Sequence, residues 1–161
     1  MEGKAAMRAG MAELTDYERA QVHFEMNDYM EAARLLEPFA AEQPHSVSVR
    51  LLLARAYYHS AQLRRAEDEF RAVTEIDPVE DYAWFALGRT LERQGRHGEA
   101  GPCFRLAAAM RPSPDYLDAE KRADAIRALT AQPAATDPAA TEPTAAEPTA
   151  TEPAGTESAG A

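Results

Sequence analysis

One period governs this chain. Ala32, Ala66 and Ala100 stand 34 residues apart, and so do Pro44, Pro78 and Pro112. Leu36, Phe70 and Phe104 keep the same register, as do Ala20, Ala54 and Gly88. Such agreement between independent columns is hard to obtain by chance, so residues 13–46, 47–80 and 81–114 read as three copies of one unit. The third copy shows what the unit is. Trp84, Leu87, Gly88 and Leu91 fall at i, i+3, i+4 and i+7, which puts them on one face of a helix. Ala100, Phe104 and Ala107 repeat that spacing on a second helix, which Pro112 ends. Asn27, Ala61 and Gly95 mark the turn inside each hairpin. A helical hairpin of this size cannot bury both its apolar faces, so each copy needs neighbours.

The spacing W-x2-L-G-x2-L, followed by Ala, A-x3-F and Pro, resembles that of a tetratricopeptide repeat (TPR). Leu91 departs from it, because the family prefers Tyr there. The second copy keeps Leu53, Ala54, Tyr57, Ala66, Phe70 and Pro78, with Arg50 in the Trp column. The first keeps little beyond Ala20, Ala32 and Pro44, with Arg19 and His23 in apolar columns, as expected of a terminal repeat with one solvated side. The resemblance implies an all-α fold, a right-handed superhelical stack of three hairpins closed by a capping helix. The expected organisation is a flexible leader over 1–14, a repeat domain over 15–131 with its capping helix at 114–131, and a disordered tail over 132–161.

Local signals refine this picture. Thr15 and Glu18 have the spacing of a capping box, which predicts a helix from Asp16 to Met26. Pro38 falls mid-helix, where a bend is expected. Pro102, with Gly98 and Gly101 just before it, predicts a loose helix start. Tyr116, Ala119, Ala123, Ile126 and Leu129 form the apolar stripe of the capping helix. Trp84 is expected to be substantially buried. In the tail, Pro138, Pro143, Pro148 and Pro153 recur every five residues, with acids before them and no base. Such a segment has no large apolar side chains to offset the entropy of folding.

Composition narrows the function classes. The net charge of −10 argues against nucleic acid as a partner. No run approaches the length of a membrane span, so no membrane partner is expected, and the lone Cys103 fits a cytoplasmic location. His23, His45, His59 and His97 lack metal-ligand spacing. No nucleophile motif or phosphate-binding glycine loop is present, so neither an enzyme nor a cofactor is expected.

What remains is recognition of a protein or peptide. In the family the first helix of each repeat lines a concave groove, and the resemblance places Tyr17, Gln21 and Phe24 there from the first repeat. Leu51, Arg55, Tyr58 and His59 follow from the second, then Tyr82, Phe85, Arg89 and Arg93 from the third. Aromatic residues and arginines are enriched at interface hot spots. A competing reading has Tyr58 and Phe85 filling gaps between repeats, and the arginines pairing with Glu92. The two-carboxylate clamp by which some family members hold chaperone tails is absent, since its positions carry Tyr17, Gln21, Leu52, Tyr82 and Ala86. The sequence therefore points to a non-catalytic interaction module. A self-associating structural module, including a homodimer, is one alternative; an enzyme whose site leaves no sequence signature is another.

Overall fold

The computed structural model describes residues 15–131. The predicted leader and tail lie outside them. Among the described residues there are seven helices and no strand: α1 (Asp16–Glu25), α2 (Tyr29–Glu42), α3 (Val47–His59), α4 (Leu63–Ile76), α5 (Asp81–Arg93), α6 (His97–Met110) and α7 (Pro114–Ala131). Each helix packs mainly against the helices before and after it in the chain. That is the one-dimensional contact pattern of a repeat stack.

Helix ends follow from identifiable residues. Thr15 caps α1: its hydroxyl accepts from the Glu18 amide at 3.3 Å, and the Glu18 carboxylate accepts from the Thr15 amide at 2.8 Å. Asp28 caps α2 by accepting from the Glu31 amide at 3.4 Å. All three hairpins turn in the same way. Asn27, Ala61 and Gly95 have φ of 61°, 62° and 77°, the left-handed region. The residue after each donates back five positions, Asp28 to His23 at 2.8 Å, Gln62 to Tyr57 and Arg96 to Leu91, both at 2.9 Å. This is the Schellman closure of a helix C-terminus, which favours Gly and tolerates Asn. Ala61 is the misfit, because a left-handed Cβ costs about 1–2 kcal/mol. Ala61→Gly is expected to stabilise the fold by about 0.5–1 kcal/mol after the glycine's extra unfolded-state entropy is subtracted. Thermal unfolding followed by circular dichroism should show a midpoint higher by roughly 2–5 °C. An unchanged or lower midpoint would show that the turn carries no strain.

The repeated columns are the core. Ala20, Ala32, Leu36, Ala54, Ala66, Phe104 and Ala107 are fully buried, and Phe70, Leu87, Leu91 and Ala100 nearly so. Burial of Ala20, Ala32 and Leu36 fixes the register of the weak first repeat. Gly88 lies against Phe104 so closely that a Cβ there would stand 2.6 Å from a ring carbon. Polar braces cross every seam. Tyr57 donates to Glu37 of the preceding repeat at 2.7 Å, and Arg65 joins the same carboxylate at 2.9 Å. Glu67 of α4 accepts from Gln94 at 3.0 Å and Arg96 at 2.7 Å beyond α5. Burial works against the Glu67 carboxylate, but Gln94, Arg96 and Arg71 outweigh it and hold its pKa below the usual range. Arg105 pairs with Asp124 of α7 at 3.3 Å.

Two expectations meet a different outcome. Trp84 is only half-buried. It packs at the edge of the core, and its indole N–H donates to the Pro78 carbonyl at 2.9 Å. Leu129 is 72% exposed, because α7 runs on past the surface it covers. Its buried contacts are Tyr116, Ala119 and Ala123. Pro38 is exposed and α2 continues through it. At the start of α6 the helix forms from His97 onward, and buried Gly101 leaves only ordinary contact room to Ala123, 3.7 Å from where a Cβ would sit.

Candidate functional site

Arg55 and Arg89 occupy the same column of α3 and α5, and their fates differ. The Arg55 guanidinium lies 4.7 Å from the Phe24 ring centre and 6.0 Å from that of Tyr82. Placement over aromatic faces is favourable for a guanidinium and fixes its orientation. Its Nε is buried and has no hydrogen-bond acceptor among the described residues. No carboxylate among them forms an ion pair with it. Arg89 is half-exposed, and its Nε stands 3.7 Å from Glu92. Glu92 is taken mainly by Arg122, which donates to it at 2.8 and 3.2 Å.

Around these arginines opens a cavity of about 530 Å³. Tyr58 and His59 of α3 contribute to one wall, and Tyr82, Phe85 and Ala86 of α5 to another. The capping helix closes it with Asp115, Asp118 and Arg122. A second, more open concavity of about 470 Å³ lies on the other side of Arg55, bounded by Gln21, Phe24, Glu25, Asn27, Tyr29 and Leu52. Arg55 thus forms the partition between the two.

The electrostatics agree with an arginine that lacks a counter-charge. His59 stacks on Tyr29 with ring centres 4.7 Å apart and interplanar angle 21°. Burial lowers its pKa first, and the charges of Arg55 and Arg93 lower it further, so His59 favours its neutral form. Burial raises the Tyr82 phenol, with Arg55 opposing.

The structure brings together most of the expected groove residues and sets three aside. Arg55, Tyr58, His59, Tyr82, Phe85 and Arg89 share the larger cavity, and Gln21 and Phe24 the smaller. Tyr17 lies outside both and makes an edge contact with Phe39 at 6.3 Å. Leu51 is half-buried against the core. Arg93 is spent locally: it donates to the Tyr58 carbonyl at 2.9 Å and covers the Tyr58 ring at 4.6 Å. Phe85 lines the cavity and also stacks on Tyr116 at 4.5 Å between the third repeat and the cap. The α7 wall was missed. Its signal was available, because Asp115, Asp118 and Arg122 stand at i, i+3 and i+7, a polar stripe beside the apolar one.

The cavity offers charged groups and aromatic ring faces. Among the described residues no three His, Cys, Asp or Glu side chains group as a metal site. Cys103 is buried, which raises its thiol pKa and makes it unreactive. No helix among the described residues is long and apolar enough to cross a membrane.

Comparison with known proteins agrees with this architecture. Residues 23–91 match one family model described as a tetratricopeptide repeat, and residues 81–114 match a second of the same description. No curated protein matches the chain in sequence. Among solved structures, the first repeat domain of Spaghetti (RPAP3), bound to the HSP90 peptide SRMEEVD, superposes with a TM-score of 0.66 at 15% identity, over 70% of this chain and 90% of that one. The Sgt2 repeat domain from Aspergillus fumigatus gives 0.66 at 17% identity, over 80% and 89%. A structure of MamA from AMB-1 gives 0.64 at 23% identity, over 70% and 62%. At these identities the likeness is one of fold.

Proposed function

The chain belongs to the tetratricopeptide repeat family, and from that premise we propose that it is a non-catalytic interaction module holding a peptide or helix of another protein in the cavity beside Arg55. One observation carries the reading. Arg55 is held by two aromatic rings, forms no ion pair among the described residues, and lies in the wall of a cavity large enough for several side chains. Charges taken partly out of water are usually paired, so a guanidinium that lines a cavity with no counter-charge among the described residues suggests a ligand that supplies one. The peptide-bound RPAP3 domain supports the mode of binding by analogy of fold. It does not supply the ligand, because the residues of the two-carboxylate clamp are replaced here.

Filling the cavity tests the proposal. Ala86 is a small buried residue in its wall. Partners captured by the full chain should be lost with Ala86→Tyr while the circular dichroism spectrum and melting midpoint stay close to the wild type. A second filler, Arg89→Trp, guards against a misfolded first variant. Partners retained by two folded, cavity-filled variants would place the interaction elsewhere.

A further inference from the structure

The charge around the cavity has an order to it. At one end stands Arg55, clasped between Phe24 and Tyr82 with no counter-ion among the described residues. At the other stand Asp115 and Asp118 of the capping helix. Asp115 forms no ion pair within the described residues, and Asp118 has only the exposed Lys121 at 3.7 Å. The charges between them are mostly spoken for. Arg122 is drawn onto Glu92, Arg89 is loosely held by the same carboxylate, and His59 favours its neutral form. Phe85 and Ala86 supply the apolar stretch of wall.

We propose that this cavity selects a dipolar segment of its partner, one presenting an aspartate or glutamate to Arg55 and a lysine or arginine to Asp115 and Asp118, with apolar side chains between. The proposal rests on the reading of the cavity as a peptide site and goes on to name the ligand class. A guanidinium offers several donors in a fixed fork that suits a carboxylate, and here the two rings have already restricted its motion. A carboxylate arriving at the Arg55 guanidinium brings the counter-charge that the described residues do not supply. A wholly acidic segment meets repulsion at Asp115 and Asp118, and a wholly basic one meets it at Arg55 and Arg89. Both are discriminated against as well as the right ligand being favoured. This preference differs in kind from that of a two-carboxylate clamp, which rewards negative charge at both points.

The experiment uses the full chain and four sets of short, end-blocked, fluorescent peptides with the same apolar centre. Two sets carry opposite charges at their ends, in the two chain directions; one is acidic at both ends and one basic at both. Anisotropy titrations at low salt should show one dipolar set binding at least about tenfold tighter than either single-sign set. The advantage should shrink as salt is raised. Arg55→Gln should make the peptide's acidic end irrelevant to affinity. Asp115→Asn with Asp118→Asn should do the same for its basic end. Arg55→Glu should transfer the preference to peptides with lysine in place of the acid. The two aspartates are exposed, so their double variant keeps the test open if changes at Arg55 prevent folding. Single-sign peptides that bind as tightly, or a preference that survives the folded variants, would overturn the dipolar ligand and leave the peptide site standing. Binding of no peptide set would overturn both.

Discussion

Truncating Phe104 to alanine is expected to lower the free energy of unfolding by about 3–5 kcal/mol, the range for large aromatic side chains removed from cores. Phe104 is fully buried, lies against Gly88, and makes a tilted contact with Phe85 at 6.0 Å. Domains have stabilities of about 5–15 kcal/mol, so this one change takes a large part of the total. Trp84→Ala removes a larger side chain and should cost less, roughly 1.5–3 kcal/mol, because half-burial means less area is lost and one hydrogen bond adds only about 1 kcal/mol. Urea unfolding followed by far-ultraviolet circular dichroism measures both. Fluorescence cannot, since Trp84 is the chain's one tryptophan. The expected order is Phe104→Ala below Trp84→Ala below wild type. The reverse order would move the centre of the third repeat from Phe104 to Trp84.

That ordering shows where sequence reasoning stops. The period located the columns of Ala20, Ala32 and Leu36, because a helix face repeats along the chain and burial demands small or apolar residues there, but it did not single out the buried pairs Val49 and Ala83 or Ala56 and Thr90. Depth along the face is another matter. Trp84 shares the stripe of Leu87 and Leu91, but it sits one turn nearer the corner between repeats, where it packs against the margin of the main core and the Ala107, Ala108 and Tyr116 cluster and donates to the Pro78 carbonyl. The cavity was legible to the same degree. Columns gave the direction in which Arg55, Arg89 and Arg93 point, and could not say which neighbour would claim each. Arg93 is claimed by Tyr58, Arg89 is loosely held by Glu92, and Arg55 by rings alone. The capping-helix wall was harder still. A polar stripe reads as solvated until tertiary packing decides which flank of the helix faces a cavity, and the packing of Tyr116 against Phe85 decides it here.

Replacing Gly88 by alanine is expected to destabilise the fold, against the usual rule for glycine within a helix. Helix propensity alone favours Gly88→Ala by about 1 kcal/mol. The new methyl, however, would stand 2.6 and 2.8 Å from two carbons of the Phe104 ring. That ring is fully buried and packed against Phe85, so it has little room to retreat. Overpacking of this kind costs about 1–3 kcal/mol, and a contact so far inside normal separation belongs toward the upper end, for a net loss of about 1–2 kcal/mol. The other repeats show that the column itself accepts alanine. Ala20 and Leu36 are both fully buried in the first, as is Ala54 in the second, with Phe70 almost so. The obstacle is therefore the particular seat of the Phe104 ring. Phe104→Leu reproduces the first repeat's pairing and takes away the obstructing ring atoms. In that background Gly88→Ala should become neutral or mildly stabilising, which makes the coupling between the two positions about 1–2 kcal/mol. Denaturation midpoints of the two single variants and the double variant give this coupling directly. Additive effects would mean that the backbone of α5 and α6 shifts to admit the methyl, and that the close approach at Gly88 is not what seats the third hairpin.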